Sequence, residues 1–260
     1  MSVIKPSQDL AGRVVLITGA ASGLGRACAV EAHTEGAVVV LADRSKAVEE
    51  AASALGDRSR AELLDVSDVE ASGALVERIE HDLGRLDGLV NAAGVMGTRP
   101  LLEVEPADFD RVFAVNVRGA YFMMQAAARS MLGNGGGSIV NFASTSGRVG
   151  RLLSSHYAAS KAAVISFTRS AALALGPTVR VNAVSPGMIE TPMIAGIRED
   201  RARILDSAPE DIQGHWRETV PLGRLGSPEE VAAVVAFLLS DRASYMTGED
   251  IGIHGGTTGT

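Results

Sequence analysis

The sequence predicts an α/β chain: a Rossmann-type, doubly wound parallel sheet of about seven strands with helices on both faces, a three-layer αβα arrangement. Three observations predict it. Short β-branched runs alternate with longer alanine-rich segments along the chain. The β-branched runs are apolar throughout, as in strands covered by helices on both sides. A glycine-rich stretch follows the first run and opens the first helical segment, where doubly wound folds receive a phosphate-bearing ligand.

The elements follow in order. RVVLIT (13–18) is the first strand, and GRACAVEAHTEG (25–36) is a helix closed by Gly36, a residue suited to a left-handed helix end. AVVVLAD (37–43) is the second strand. A helix at 45–55, a strand at 60–64, a helix at 68–83 and the strand LDGLVNAAG (86–94) come next. One long helix spans 106–132, followed by the strand GSIVNFAS (137–144), a helix at 155–175 and the strand VRVNAVSPG (179–187). Helix 227–240 opens with Ser227 as N-cap, Pro228 in the first turn and Glu230 at the capping-box position. GEDIGIHGG (248–256) is the last strand. Residues 188–226, which hold the only tryptophan, Trp216, read as one long irregular stretch. Such a stretch in a compact domain serves as a lid or binding loop. No repeat or linker divides residues 1–260, so a single domain is expected.

Composition excludes several classes. With 46% hydrophobic residues in 260, the chain can bury one large core. Its 31 acidic and 24 basic residues give a net charge of −7, with no basic run to match nucleic-acid phosphates. No apolar stretch reaches the ~18 residues of a membrane span, and MSVIKPSQDLAGR at the start lacks a signal-peptide layout. Cys28 is the only cysteine, which rules out an internal disulfide and fits a cytoplasmic location. The scattered histidines have no zinc-site spacing, so no metal is expected.

TGAASGLGRA (18–27) places Gly19, Gly23 and Gly25 between strand and helix. Small residues there let backbone N–H groups approach a pyrophosphate at the positive end of the helix. Asp43 ends the second strand, 18 residues after Gly25. An acid there accepts hydrogen bonds from ribose hydroxyls and repels a 2′-phosphate, which favours NAD over NADP. Arg44 beside it is a candidate phosphate partner, and Asp43 also reads as a helix-capping acid. Asp65, in LLDVSD (63–68), reads as a ligand for the adenine amino group or as a helix cap.

In SSHYAASKAAV (154–164), Tyr157 and Lys161 stand four residues apart and share one helix face. An isolated tyrosine titrates near ~10, and a nearby ammonium favours the phenolate. The pair is a candidate general acid/base, or else a buried anchor with a solvated lysine. His156 points about 100° away from Tyr157 and reads as a packed or subunit-contact residue.

Taken together, TGAASGLG, NAAG (91–94), Asn116 in VNV, Ser144 thirteen residues before Tyr157, YAASK and PGMIETPM (186–193) resemble the short-chain dehydrogenase/reductase family. The resemblance covers about residues 10–256. It implies an NAD(P)-dependent enzyme that interconverts a secondary alcohol and a ketone. Tyr157 would be the general acid/base, and Lys161 would also hold the nicotinamide ribose. Ser144 would steady the substrate oxygen, and Asn116 would hold a water linking Lys161 to solvent.

The cofactor would lie against Gly19, Ser22, Gly23, Leu24 and Gly25, and against Asp43, Arg44, Asp65 and Val66. It would also meet Asn91, Ala92, Ala93 and Gly94, Tyr157 and Lys161, then Pro186, Gly187, Ile189 and Thr191, the last two at the carboxamide. Asn91 also reads as a tie between strands. Substrate contacts would come from Ser146, Val149, Leu153, Gly187, Met188 and Met193, and from Ile194, Ile197 and Trp216 in the following segment. That apolar lining favours a hydrophobic or cyclic alcohol over a highly charged one. The resemblance further implies a homotetramer, built on helices 106–132 and 155–175 and on YMTGEDIGIHGG (245–256). A dinucleotide-sensing protein without turnover is the alternative. A serine hydrolase using Ser144 is disfavoured, because FASTSG (142–147) lacks the G-x-S-x-G elbow.

Overall fold

In the computed structural model, which describes residues 8–257, seven strands form one sheet. They are β1 (Val14–Thr18), β2 (Val38–Asp43), β3 (Ser59–Leu63), β4 (Gly88–Asn91), β5 (Gly137–Phe142), β6 (Val179–Pro186) and β7 (Asp250–Ile253). Their order is β3-β2-β1-β4-β5-β6-β7, and every pairing is parallel. The helices among the described residues are α1 (Gly23–Thr34), α2 (Ala47–Ser53), α3 (Val69–Leu83), α4 (Pro106–Phe113), α5 (Ala120–Gly133), α6 (Ser155–Leu175), α7 (Pro192–Leu205), α8 (Pro209–Thr219) and α9 (Pro228–Leu239). The expected doubly wound sheet is therefore present. Residues 1–7, part of the stretch read as lacking a signal peptide, lie outside the described residues.

Alternation along β1 shows why both of its faces are apolar. Val15 and Ile17 join Cys28, Ala29 and Ala32 of α1 and Val231, Val235 and Leu238 of α9. Val14 and Leu16 join Leu75, Val76 and Ile79 of α3 and Met123, Ala127 and Met131 of α5. Each fully buried aliphatic side chain contributes about 1.5–3 kcal/mol, so one five-residue strand ties two helical layers together. The winding direction reverses between β1 and β4, and a crevice opens there beyond the carboxyl ends of the strands. Cys28 is buried in this packing, which pushes its thiol pKa up and leaves it a core residue.

Two expectations need correction. The long helix over 106–132 is interrupted: residues 114–119 wind as a π turn between α4 and α5. At the end of that turn Gly119 lies against the backbone of Val66, where a Cβ would come within 2.7 Å of the Val66 carbonyl oxygen. Segment 188–226 is not irregular but holds α7 and α8. Thr191 caps α7, its hydroxyl accepting from the Ile194 N–H at 3.3 Å, and Pro192 occupies the first turn. Asp206, with φ of 50°, ends α7, and Pro209 opens α8.

Backbone bonds latch both ends of this helical pair. Gly226 N–H donates to Met188 O and Glu190 N–H to Gly226 O, both at 2.9 Å. The capping box expected at Ser227 is formed. The Ser227 hydroxyl accepts from Glu230 N–H, and the Glu230 carboxylate accepts from Ser227 N–H at 2.8 Å and from Arg224. Among the described residues, no helix is long and apolar enough to cross a membrane.

Candidate active site

The glycine turn joins β1 to α1. Gly19 and Gly23 have φ of 69° and 55°, the left-handed region that favours glycine. At Gly25 a Cβ would stand 2.2 Å from the Gly19 carbonyl oxygen, so only hydrogen fits. Ser22 is the N-cap of α1 but its side chain makes no capping bond. The first-turn N–H groups, from Gly23 and Leu24 onward, have no intrahelical acceptor. Across the switch point the turn packs on the segment after β4: a Cβ on Gly19 would lie 2.8 Å from Ala93 Cα. The Thr18 hydroxyl accepts from Ala93 N–H at 3.1 Å. Asn91 acts as the tie between strands, its amide donating to Asn141 Oδ1 at 2.9 Å and Ala120 O at 3.0 Å.

Asp43 accepts from Ala21 N–H at 3.1 Å and from Ser45 N–H at 2.9 Å, so it also buttresses the glycine turn. Asp65 accepts from the Ser67 hydroxyl and N–H, which hold its carboxyl below the usual range. Gly19, Asp43, Arg44, Asp65, Val66 and Ala93 line one cavity. Leu24, Ala92, Ser144, Tyr157, Lys161 and Pro186 line a second, together with Gly187, Met188, Ile189 and Thr191. Gly94 lines both, so the two cavities adjoin.

Tyr157 and Lys161 project from the start of α6 and are 8% and 5% exposed. Lys161 Nζ donates to Phe142 O at 2.7 Å and lies 5.8 Å from the Tyr157 ring centroid. Burial pushes the Tyr157 phenol up, while the Ser144 hydroxyl and the charge of Arg151 pull it back. The cation opposing the shift here is thus Arg151, which the sequence reading did not include. Burial lowers Lys161 to about 8.

Asn116 sits in the π turn, a feature frequent at functional sites. Its amide accepts from Val95 N–H at 2.8 Å and donates to Val95 O at 2.9 Å and Ser160 Oγ at 3.1 Å. The side chain therefore pins the segment after β4 to α6.

The Lys161 value has a consequence for stability. Between about pH 8 and the ordinary lysine value of 10.5, the unfolded chain binds the proton more tightly than the folded one. Stability should therefore rise with pH across that window as the penalty of burying the charge is lost. The whole effect is about 3 kcal/mol at most. Urea unfolding of the wild type and Lys161→Met at pH 7.5 and 10 checks it. The wild type should gain on the variant as pH rises, and parallel changes would contradict the assignment.

The substrate end is lined by Met96, Met188, Met193, Ile194 and Ile197, with Ser144 and Ser146. Three expected contacts are not on this lining. Trp216 is 3% exposed and stands behind Arg201, whose guanidinium lies 5.7 Å from the indole centroid. Leu153 is buried, with its carbonyl held by Arg99 N–H at 2.7 Å. Val149 is half-buried away from the cavity. Six lining residues were missed: Met96, Phe142, Ala143, Thr145, Arg151 and Arg201. Arg201 follows Ile194 and Ile197 at helical spacing, a signal readable once Thr191–Pro192 is taken as a helix start. His156 is packed as expected. It is 3% exposed, neither ring nitrogen has a hydrogen-bond partner, and burial lowers its pKa. Among the described residues no His, Cys, Asp or Glu cluster could hold a metal.

A dinucleotide-dependent oxidoreductase is the class this site defines, because a glycine turn and a buried tyrosine–lysine pair flank adjoining cavities. The chain belongs to the short-chain dehydrogenase/reductase family. A family model described as enoyl-(acyl carrier protein) reductase matches residues 19–258. The 3-oxoacyl-acyl-carrier-protein reductase FabG of Thermotoga maritima is 40% identical over 252 residues, covering 95% of this chain and 98% of that protein. The cis-4-hydroxycyclohexanecarboxylate dehydrogenase of Sinomonas cyclohexanicum is 39% identical, with 96% and 98% covered. A structure of NAD+-bound xylitol dehydrogenase superposes with a TM-score of 0.92 at 36% identity, covering 95% of this chain and 99% of that one.

Proposed function

We propose that the protein is an NAD-dependent dehydrogenase that interconverts a secondary alcohol and a ketone, with Tyr157 as general acid/base. The observation that carries this reading is the shared lining of Ser144, Tyr157 and Lys161 with Leu24, Ala92 and Thr191 in one cavity. The dinucleotide fits the residues present. The pyrophosphate would lie against the first-turn N–H groups of α1, on the tight turn that Gly25 permits, and the adenosine ribose would meet Asp43. Lys161 would hold the nicotinamide ribose, and Ile189 and Thr191 the carboxamide. When bound, the nicotinamide ring supplies the acceptor or donor of the hydride.

The chain's own residues handle the proton. In oxidation the Tyr157 phenolate takes the hydroxyl proton of the alcohol, and in reduction the phenol returns a proton to the carbonyl oxygen. The Ser144 hydroxyl hydrogen-bonds that oxygen while its charge changes. The Arg151 charge favours the phenolate. Alcohol oxidation should therefore rise with pH through the Tyr157 titration. In Arg151→Gln that limb should move to higher pH, as kcat/KM profiles of both forms will show. An unmoved limb would remove Arg151 from the proton chemistry.

The NAD preference rests on Asp43 at the cavity edge, and the similar xylitol dehydrogenase was solved with NAD+. Asp43→Ala should lower the NAD/NADP ratio of kcat/KM at least tenfold. An unchanged ratio would show that Asp43 does not read the ribose. The methionines and isoleucines of the lining suit a hydrophobic or cyclic carbon skeleton, and one relative is named for a cyclic alcohol. Exposed Phe109, Tyr121 and Leu173 on α4, α5 and α6, with Tyr245 near the C-terminus, support a tetramer of 26.9 kDa chains. Light scattering on the eluting species tests that. The buried, unpaired Cys28 supports a cytoplasmic home.

A further inference from the structure

Two guanidinium groups, those of Arg151 and Arg201, line the cavity that holds Ser144 and Tyr157, and no aspartate or glutamate lines it. The chain is not short of acids, having 31 against 24 basic residues. On α7 itself, Arg198 pairs with Glu199 and Arg203 with Asp200. Arg201, on the inner face between them, has no carboxylate partner among the described residues. Its Nε is buried without a hydrogen-bond partner, and its neighbour is the Trp216 ring.

Arg151 approaches the same space from the loop before α6. It donates to Ser146 Oγ at 3.2 Å and to Thr145 Oγ1 at 3.4 Å, neutral groups that orient it without neutralising it. Desolvation weakens the charged form of both arginines, and Arg151 adds repulsion to Arg201. Two partly desolvated like charges are costly unless a counter-charge joins them. Arginine is suited to receive one, because its planar donors match both oxygens of a carboxylate.

We propose that Arg151 and Arg201 bind a carboxylate carried by the substrate, so that the enzyme oxidises a hydroxy acid and reduces the matching oxo acid. The proposal rests on the dehydrogenase reading above and names its substrate class. The carboxylate takes no part in bond making. It anchors one end of an apolar skeleton lying along Ile194 and Ile197, and so places the carbinol carbon at Ser144 and Tyr157. The expected hydrophobic substrate thus gains a charged end, which the apolar sequence signals alone did not disclose.

Trp216 is the only tryptophan, and Arg201 covers its ring, so its fluorescence reports on this site without turnover. Wild-type enzyme is titrated with cyclohexanecarboxylate and with its neutral isostere cyclohexanecarboxamide. Expected is a saturable fluorescence change with the acid, at an affinity at least tenfold above that of the amide. Arg201→Gln and Arg151→Gln should each weaken the acid at least tenfold, and Arg201→Lys should recover part of the loss. Arg151→Gln leaves the Arg201–Trp216 contact in place, so its result does not depend on a changed fluorophore. Equal affinity for acid and amide, no saturation with the acid, or affinity that survives both glutamine substitutions would overturn the proposal. Turnover of 4-hydroxycyclohexanecarboxylate with NAD is followed separately. Anion binding with no turnover of this or any other alcohol or ketone offered would sink the dehydrogenase reading and leave the anion site standing, and turnover indifferent to the carboxylate would do the reverse.

Discussion

Tyr157→Phe is expected to lower kcat/KM by about a hundred- to ten-thousand-fold, the range that a positioned acid/base supplies. The substitution removes only the phenol oxygen. The ring, which is 8% exposed, keeps its packing at the start of α6. The glycine turn and Asp43 lie on β1, α1 and β2, so the affinity for NAD should stay within a few-fold of the wild type. Steady-state rates and NADH fluorescence titration together separate the two effects. A variant that keeps its rate would show that the proton goes elsewhere. A variant that loses NAD affinity and rate in parallel would make Tyr157 a binding residue.

Gly25→Ala is expected to abolish dinucleotide binding at concentrations a hundredfold above the wild-type Kd, and to destabilise the fold. The added methyl would lie 2.2 Å from Gly19 O, 2.7 Å from Gly19 C and 3.0 Å from Thr18 O. All three are backbone atoms at the end of β1, so no side chain can swing away and the turn itself must move. Gly73, inside α3, is the control: a Cβ there meets nothing within 4 Å. Gly73→Ala should therefore leave NAD affinity unchanged and stabilise the chain by about 0.5–1 kcal/mol. Calorimetry of both variants, with and without NAD, checks the pair. Wild-type NAD affinity in Gly25→Ala would remove the glycine turn from the binding account.

How much of this was readable in the chain varied with the kind of signal. The inner strands were legible because sheet burial on both faces leaves unbroken apolar runs such as VVLIT, whereas the edge strands β3 (SRAEL) and β7 (DIGI) are only part-buried; the Ser227 capping box was legible from residue types alone. The glycine turn and the Tyr157–Lys161 pair were legible from spacing. Helices α7 and α8 were not, because their buried residues are few: Ile197 and Ala202 on one, Trp216 on the other. Their polar majority reads as loop, although Thr191–Pro192 and Pro209 are helix starts. The π turn left no mark, since it depends on the approach of Gly119 to the distant backbone of Val66. Trp216 was expected in the cavity as an aromatic in a binding segment, and the fold instead uses it to support Arg201. Arg201 stands among many charged residues in 196–218, and only its place on the inner face of α7 sets it apart.

Hydride transfer by this chain is tested by NADH absorbance when wild-type enzyme and Tyr157→Phe are offered NAD with a panel of cyclic secondary alcohols, acids and neutral analogues alike. NADH should form with the wild type and be lost in the variant, although the variant still binds NAD. Tight NAD binding by both forms with no NADH from any alcohol, and no NADH consumption with the matching ketones, would contradict it and make the protein a dinucleotide-binding module.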